Sequence, residues 1–168
     1  MTKFNFDYSD DATLNYGNQD AKTELTLILN LGCPDTRDWF NANKDDLEAA
    51  IDDGKLKIHV KFWNKDKEDL ANGNVANGYV DYDDPKAAWK FIVADFENQD
   101  ELDAQNLADV PAYLADKFGV KQFADRETVA AKTLAEVEAN DIVSVPTVIK
   151  GDEAYFDDSL KTVTELLG

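Results

Sequence analysis

A chain of 168 residues, 43% apolar and 11% aromatic, is long enough to bury one sizeable core and too apolar to be disordered. Thirty-five acids against 17 bases give a net charge of −18, which removes the basic footprint that a nucleic-acid or anionic-membrane partner needs. One cysteine excludes an internal disulfide, the N-terminus Met1-Thr2-Lys3-Phe4 lacks an apolar leader pattern, and no apolar run reaches the roughly 18 residues of a membrane span, so the expected compartment is the reducing cytoplasm.

Residues 2–8 alternate, with Phe4, Phe6 and Tyr8 opposite Lys3, Asn5 and Asp7, which predicts a half-exposed edge strand. A polar turn through residues 16–21 leads into residues 24–31, a nearly continuous Leu/Ile/Thr run expected of a strand buried on both faces. A helix follows, with Trp39, Phe40, Leu47 and Ile51 inward and an end near Gly54. Residues 55–63 alternate strictly and predict a strand with one wet face, on which the single histidine, His59, falls. The unit reads β-α-β, with its strands parallel.

From about residue 66 to residue 141 the pattern turns helical. Trp89, Ile92, Val93 and Phe96 form one stripe, opened by Asp84 as N-cap and Pro85 in the first turn. Leu107, Val110, Leu114 and Phe118 form a second stripe stopped by Gly119, and Val129, Leu134 and Val137 mark a third. Asn72-Gly73-Asn74 and Asn77-Gly78 predict loops. Residues 142–149 return to β-type sequence, residues 150–153 supply a hairpin turn, and residues 154–156 a returning strand. A closing helix is expected over residues 159–167, with Ser159 as its cap.

Three segments stand out within this order: Gly17-Asn18-Gln19-Asp20-Ala21 before the first buried strand, Gly32-Cys33-Pro34-Asp35-Thr36 at the strand-to-helix turn, and Val145-Pro146-Thr147 after the helical stretch. In this arrangement the chain resembles the DsbA-like branch of the thioredoxin superfamily over essentially its whole length. The second segment stands where that family has Cys-Pro-x-Cys, and the third resembles its cis-proline loop. The resemblance implies an α/β thioredoxin-like fold with a central mixed β-sheet and an inserted helical subdomain. Residues 1–65 and 141–168 would form the thioredoxin-like domain and residues 66–140 the insertion.

It also implies a site. Cys33 and Thr36 take the catalytic positions, and Pro34, Asp35, Val145 and Pro146 the substrate-binding ones. A cysteine at a helix N-terminus meets unpaired backbone N–H groups and the positive end of the helix dipole, which favour the thiolate. Asp35 and the acidic background work against it. Thr36 replaces the second thiol and offers a hydroxyl to the sulfur instead. A dithiol enzyme resolves its mixed disulfide with its own second thiol, a step unavailable here.

Three readings follow. Cys33 acts as a monothiol on protein or small-molecule thiols and disulfides, with a low-molecular-weight thiol such as glutathione as co-substrate. Alternatively, the chain is a degenerate, non-catalytic binding module, or an enzyme like the kappa-class glutathione transferases, whose first motif position is serine. No metal-ligand spacing is present, and His59 on its polar strand face is a poor partner for Cys33.

Overall fold

A computed structural model describes residues 3–168. Among the described residues five strands form one sheet, β1 (Leu14–Tyr16), β2 (Thr23–Leu29), β3 (Leu56–Phe62), β4 (Thr147–Lys150) and β5 (Glu153–Phe156), in the order β1-β3-β2-β4-β5. Only β2 and β3 run parallel, with Leu25 opposite Ile58 and Leu27 opposite Val60. The remaining neighbours are antiparallel. The crossover between the parallel pair is α1 (Pro34–Asp52), as the β-α-β reading requires.

Alternation sorts β2 between two cores. Leu25, Leu27 and Leu29 join Leu56, Ile58 and Val60 of β3 beneath Phe40 and Leu47 of α1. Ile28 faces the other way, into a smaller cluster with Cys33, Trp63, Val137, Ile142, Val145 and Ile149. Each such fully buried Leu or Ile contributes roughly 1.5–3 kcal/mol from area removed from water.

Between β3 and β4 lie α2 (Ala71–Asn77), α3 (Pro85–Glu97), α4 (Gln99–Asp103), α5 (Val110–Phe118) and α6 (Arg126–Ala139). Asp84 caps α3 by accepting from the Ala87 amide, with Pro85 in the first turn. Gly119 ends α5 in the left-handed region at φ 68°, open to glycine without strain. Two members of the expected stripes stay outside the core, Leu107 at 53% exposure and Leu134 at 42%.

Several expectations need correction. Residues 3–8 form no strand; Thr2 lies outside the described residues. Their alternation is real, but the backbone amides of Asn5 and Asp7 donate to the side chains of Asn140 and Glu136 rather than to a ladder. The edge strand beside β3 is β1, within the stretch after Tyr8 that carried no strand signal. The polar face of β3 is also not wet. His59 stacks on Tyr8 with ring centroids 3.8 Å apart, and fully buried Lys61 binds Glu136 Oε1 at 2.9 Å.

Asn72-Gly73-Asn74 is not a loop but the first half of α2. Its glycine permits a close approach: a Cβ on Gly32 would stand 2.6 Å from the Gly73 Cα. The β-type run at residues 142–146 enters the sheet only at Thr147. The closing helix is α7 (Val163–Leu167), capped by Thr162 with Glu165 completing a capping box. Ser159 instead belongs to a short 3-10 turn (Asp157–Ser159), where its hydroxyl bonds both backbone groups of Phe156.

Candidate functional site

Strand β2 leads into Asn30-Leu31-Gly32, and a set of carboxamides fixes this turn. Asn30 Nδ2 donates to Trp63 O (3.0 Å) and to Asn74 Oδ1 (2.8 Å), while its Oδ1 accepts from the Gly32 amide (2.9 Å). Asn77 Oδ1 accepts from the Leu31 amide at 3.1 Å. Gln99 Nε2, fully inside, donates to Leu31 O and to Cys33 O, both at 3.0 Å. These donors and acceptors are neutral, so they orient the turn without adding charge beside the thiol. Asn74 and Asn77 come from α2 and Gln99 from α4, so the helices between β3 and β4 hold the turn from outside the sheet.

Cys33 is the N-cap of α1, in extended conformation (φ −86°, ψ 119°), with Pro34 opening the helix. A proline there forfeits only an amide that would have had no intrahelical partner. Cys33 O accepts the first helical bond from the Arg37 amide at 3.0 Å. Cys33 as a residue is 7% exposed, and its S–H donates to Val145 O at 3.5 Å. The Val145–Pro146 peptide is cis. Around it, Thr147 Oγ1 donates to Ser144 O at 2.7 Å, Ser144 Oγ to Asp157 Oδ1 at 2.9 Å, and Lys65 Nζ to Val143 O at 2.9 Å.

The fold thus brings Cys33 and Val145-Pro146 together, with Pro34 and Asp35 exposed beside them. Thr36 is fully buried, one turn into α1. Its hydroxyl has no hydrogen-bond partner among the described residues, so it does not make the expected bond to the sulfur. Arg37 is tied to Asp38 (3.0 Å) and to Asp100 (2.7 Å), which removes it as a counter-ion for Cys33. His59 has both ring nitrogens engaged, Nδ1 with Asn15 Oδ1 and Nε2 with Glu24 Oε2, and burial pulls its titration below the ordinary value.

Two carboxyl groups near the turn escaped the sequence reading. Asp95 on α3 is fully buried, and neither oxygen has a partner among the described residues. Burial, then the Asp103 carboxylate, pushes its pKa well above the carboxylate range. Asp103 is exposed on one side, but its Oδ1 lies 3.1 Å from the point a Gly32 Cβ would occupy. Partial burial raises Asp103 to about 6, against the opposing pull of Arg37. The signal for Asp95 was present in the spacing, because it continues the buried face formed by Ala88, Phe91 and Ile92. Gln99 carried no such signal.

A family model described as Thioredoxin matches residues 9–167. Among solved structures, a conserved protein of unknown function from Enterococcus faecalis V583 is 32% identical, with a TM-score of 0.86 over 98% of this chain and 90% of the other. ScsC of Proteus mirabilis superposes with a TM-score of 0.67 at 18% identity, over 95% of this chain and 74% of that one. MdbA, a thiol-disulfide oxidoreductase from Actinomyces oris, gives 0.63 at 18% identity, over 99% and 89% of the two chains. No curated protein sequence matches. Matched along nearly its full length, and with the fold of the DsbA-like thiol–disulfide oxidoreductases, the chain belongs to the thioredoxin family.

Proposed function

We propose that the protein is a monothiol thiol–disulfide exchanger that works through Cys33. One observation carries this reading: the chain's single cysteine caps α1 with its sulfur 3.5 Å from Val145 O, while Thr36 stands where a resolving thiol would be. The Cys33 thiolate attacks one sulfur of a disulfide. A new S–S bond forms to Cys33, and the other half leaves as a thiolate. Thr36 offers no sulfur for resolution, so an external thiol completes the exchange and regenerates Cys33. Glutathione is the small-molecule candidate for that thiol, and the reducing cytoplasm the compartment that supplies it.

Deprotonation of Cys33 releases the acceptor at Val145. Its carbonyl, occupied by the S–H in the thiol form, then takes a backbone N–H from an extended substrate, which lays the substrate disulfide along the sulfur. Pro34, Asp35 and Pro146 border that path. On this reading residues 1–65 and 141–168 form the catalytic unit, and the insertion at 66–140 supports its cysteine turn. Intact-mass and peptide-mapping spectrometry of the reduced protein after treatment with 2-hydroxyethyl disulfide tests the reading. A single adduct on Cys33, removed by glutathione, is expected. Failure of Cys33 to take the adduct refutes it.

A further inference from the structure

The surroundings of the Cys33 sulfur are unequal in charge. Asp35 lies exposed two residues away, in the first turn of α1. Arg37, the one cation in the first two turns of that helix, is bound on both sides by Asp38 and Asp100, the latter with its side chain 95% exposed. Asp103 on α4 has its Oδ1 3.1 Å from the point a Gly32 Cβ would occupy, and Asp157 holds Ser144 next to Val145. Two cations are tied up among these groups, Arg37 by its two carboxylates and Lys65 by a carbonyl. Lys65 is held by the Val143 carbonyl and lies over the Trp63 ring, 5.6 Å from its centroid.

Within this rim the floor is apolar. Trp63, Leu70, Ile142 and Val145 pack with Cys33, and Val143 projects at the edge at 61% exposure. A partner approaching the sulfur therefore crosses a negative rim before it reaches apolar contact. The net charge of −18 extends the same field over the whole surface.

We propose that the Cys33 site selects cationic partners: an extended, basic, cysteine-bearing segment of another protein, in preference to anionic thiols and disulfides. This rests on the monothiol reading and specifies its substrate class. The exchange step is unchanged. The thiolate forms the new S–S bond and the departing half carries away the electron pair as a thiolate. What the rim changes is the local concentration of the reactant and its orientation at the sulfur. Glutathione, an anion, meets the same field as a repulsion.

The test uses three small disulfides with the full-length reduced protein: cystamine (cationic), 2-hydroxyethyl disulfide (neutral) and 3,3′-dithiodipropionate (anionic). Each rate of adduct formation is divided by the rate for a neutral single-cysteine peptide at the same pH, which removes the intrinsic reactivity of the probe. At about 10 mM salt the corrected cystamine rate should exceed the dithiodipropionate rate by roughly tenfold or more, and the ratio should collapse toward one near 0.5 M salt. Asp35→Asn combined with Asp100→Asn, both at exposed positions, should lower the low-salt ratio severalfold. A corrected ratio near one at low salt, or a preference indifferent to salt, overturns the inference while leaving monothiol exchange standing. Absence of reaction with the neutral probe overturns the monothiol reading, and the inference with it.

Discussion

Gln99 Nε2 donates to the carbonyl of Cys33 at 3.0 Å, and the same nitrogen donates to Leu31 O at the same distance. One buried amide from α4 thus grips the chain on both sides of Gly32. Cys33 O also accepts from Arg37, so Gln99 fixes the point at which α1 begins and hence the direction in which its free N–H groups face the sulfur.

Gln99→Met keeps the volume but removes the donor, leaving Leu31 O without its bond in a buried setting. The expected cost is about 1–3 kcal/mol, read as a lower midpoint in urea denaturation. Because the turn loosens at the helix start, the rate of Cys33 alkylation at fixed pH, set against that of a single-cysteine peptide, should also change. An alkylation rate that stays unchanged while stability falls would make Gln99 a purely structural residue.

Gly73→Ala tests the close approach of α2 to the cysteine turn. A Cβ there would lie 2.3 Å from Asn30 Oδ1 and 2.4 Å from the Gly32 amide nitrogen, so either α2 or the turn must shift. Although alanine is the better helix former, we expect a net loss of roughly 1–3 kcal/mol, as for overpacking elsewhere. Gly54→Ala serves as the comparison, since nothing lies within 4 Å of a Cβ there and the penalty is only that of its positive φ. An equal or smaller loss in Gly73→Ala would contradict the packing argument.

Asp95 and Asp103 set a pH dependence. Both have native pKa values raised above the ordinary carboxylate value, Asp103 to about 6. Above the unfolded pKa the native state therefore binds more protons than the unfolded one, and stability falls as pH rises from about 4 through 6. For Asp95 the fall continues higher, because its burial is deeper. Asp95→Asn removes the ionisation without changing the shape. It should raise the urea midpoint at pH 8 relative to wild type and have little effect at pH 4. A variant equally destabilised at both values would show that the carboxyl is needed in its own right.

Thr36→Cys places a second thiol one helical turn from the first. The variant should close an internal disulfide on treatment with 2-hydroxyethyl disulfide, losing two protons in mass and retaining no adduct, while wild type keeps its adduct until an external thiol is added. Retention of the adduct by the variant would show that the buried Thr36 position cannot reach the sulfur.

The elements that place Cys33 were legible because their signals are local. The Leu/Ile run of β2, the Cys-Pro start of α1 and Val145-Pro146 each follow from neighbouring residues, and their order pointed to one pocket. The residues that support the pocket were not. Asn74, Asn77 and Gln99 reach the cysteine turn from helices distant in sequence, and an asparagine-glycine tract reads as a loop unless the second backbone that Gly73 accommodates is known. The alternation of residues 3–8 and of β3 misled for a shared reason. Polar residues at every second position mark a face that is not apolar, and here Tyr8 and Glu136 cover that face of β3 while Glu136 and Asn140 take the amides of residues 5 and 7.

The most direct measurement is the second-order rate of Cys33 with 2-hydroxyethyl disulfide, set against a neutral single-cysteine peptide at the same pH and salt. The account predicts a faster reaction at Cys33, with the product a stable mixed disulfide that an added thiol reverses. A rate no greater than that of the peptide would contradict it and leave Cys33 as a buried side chain with no exchange role.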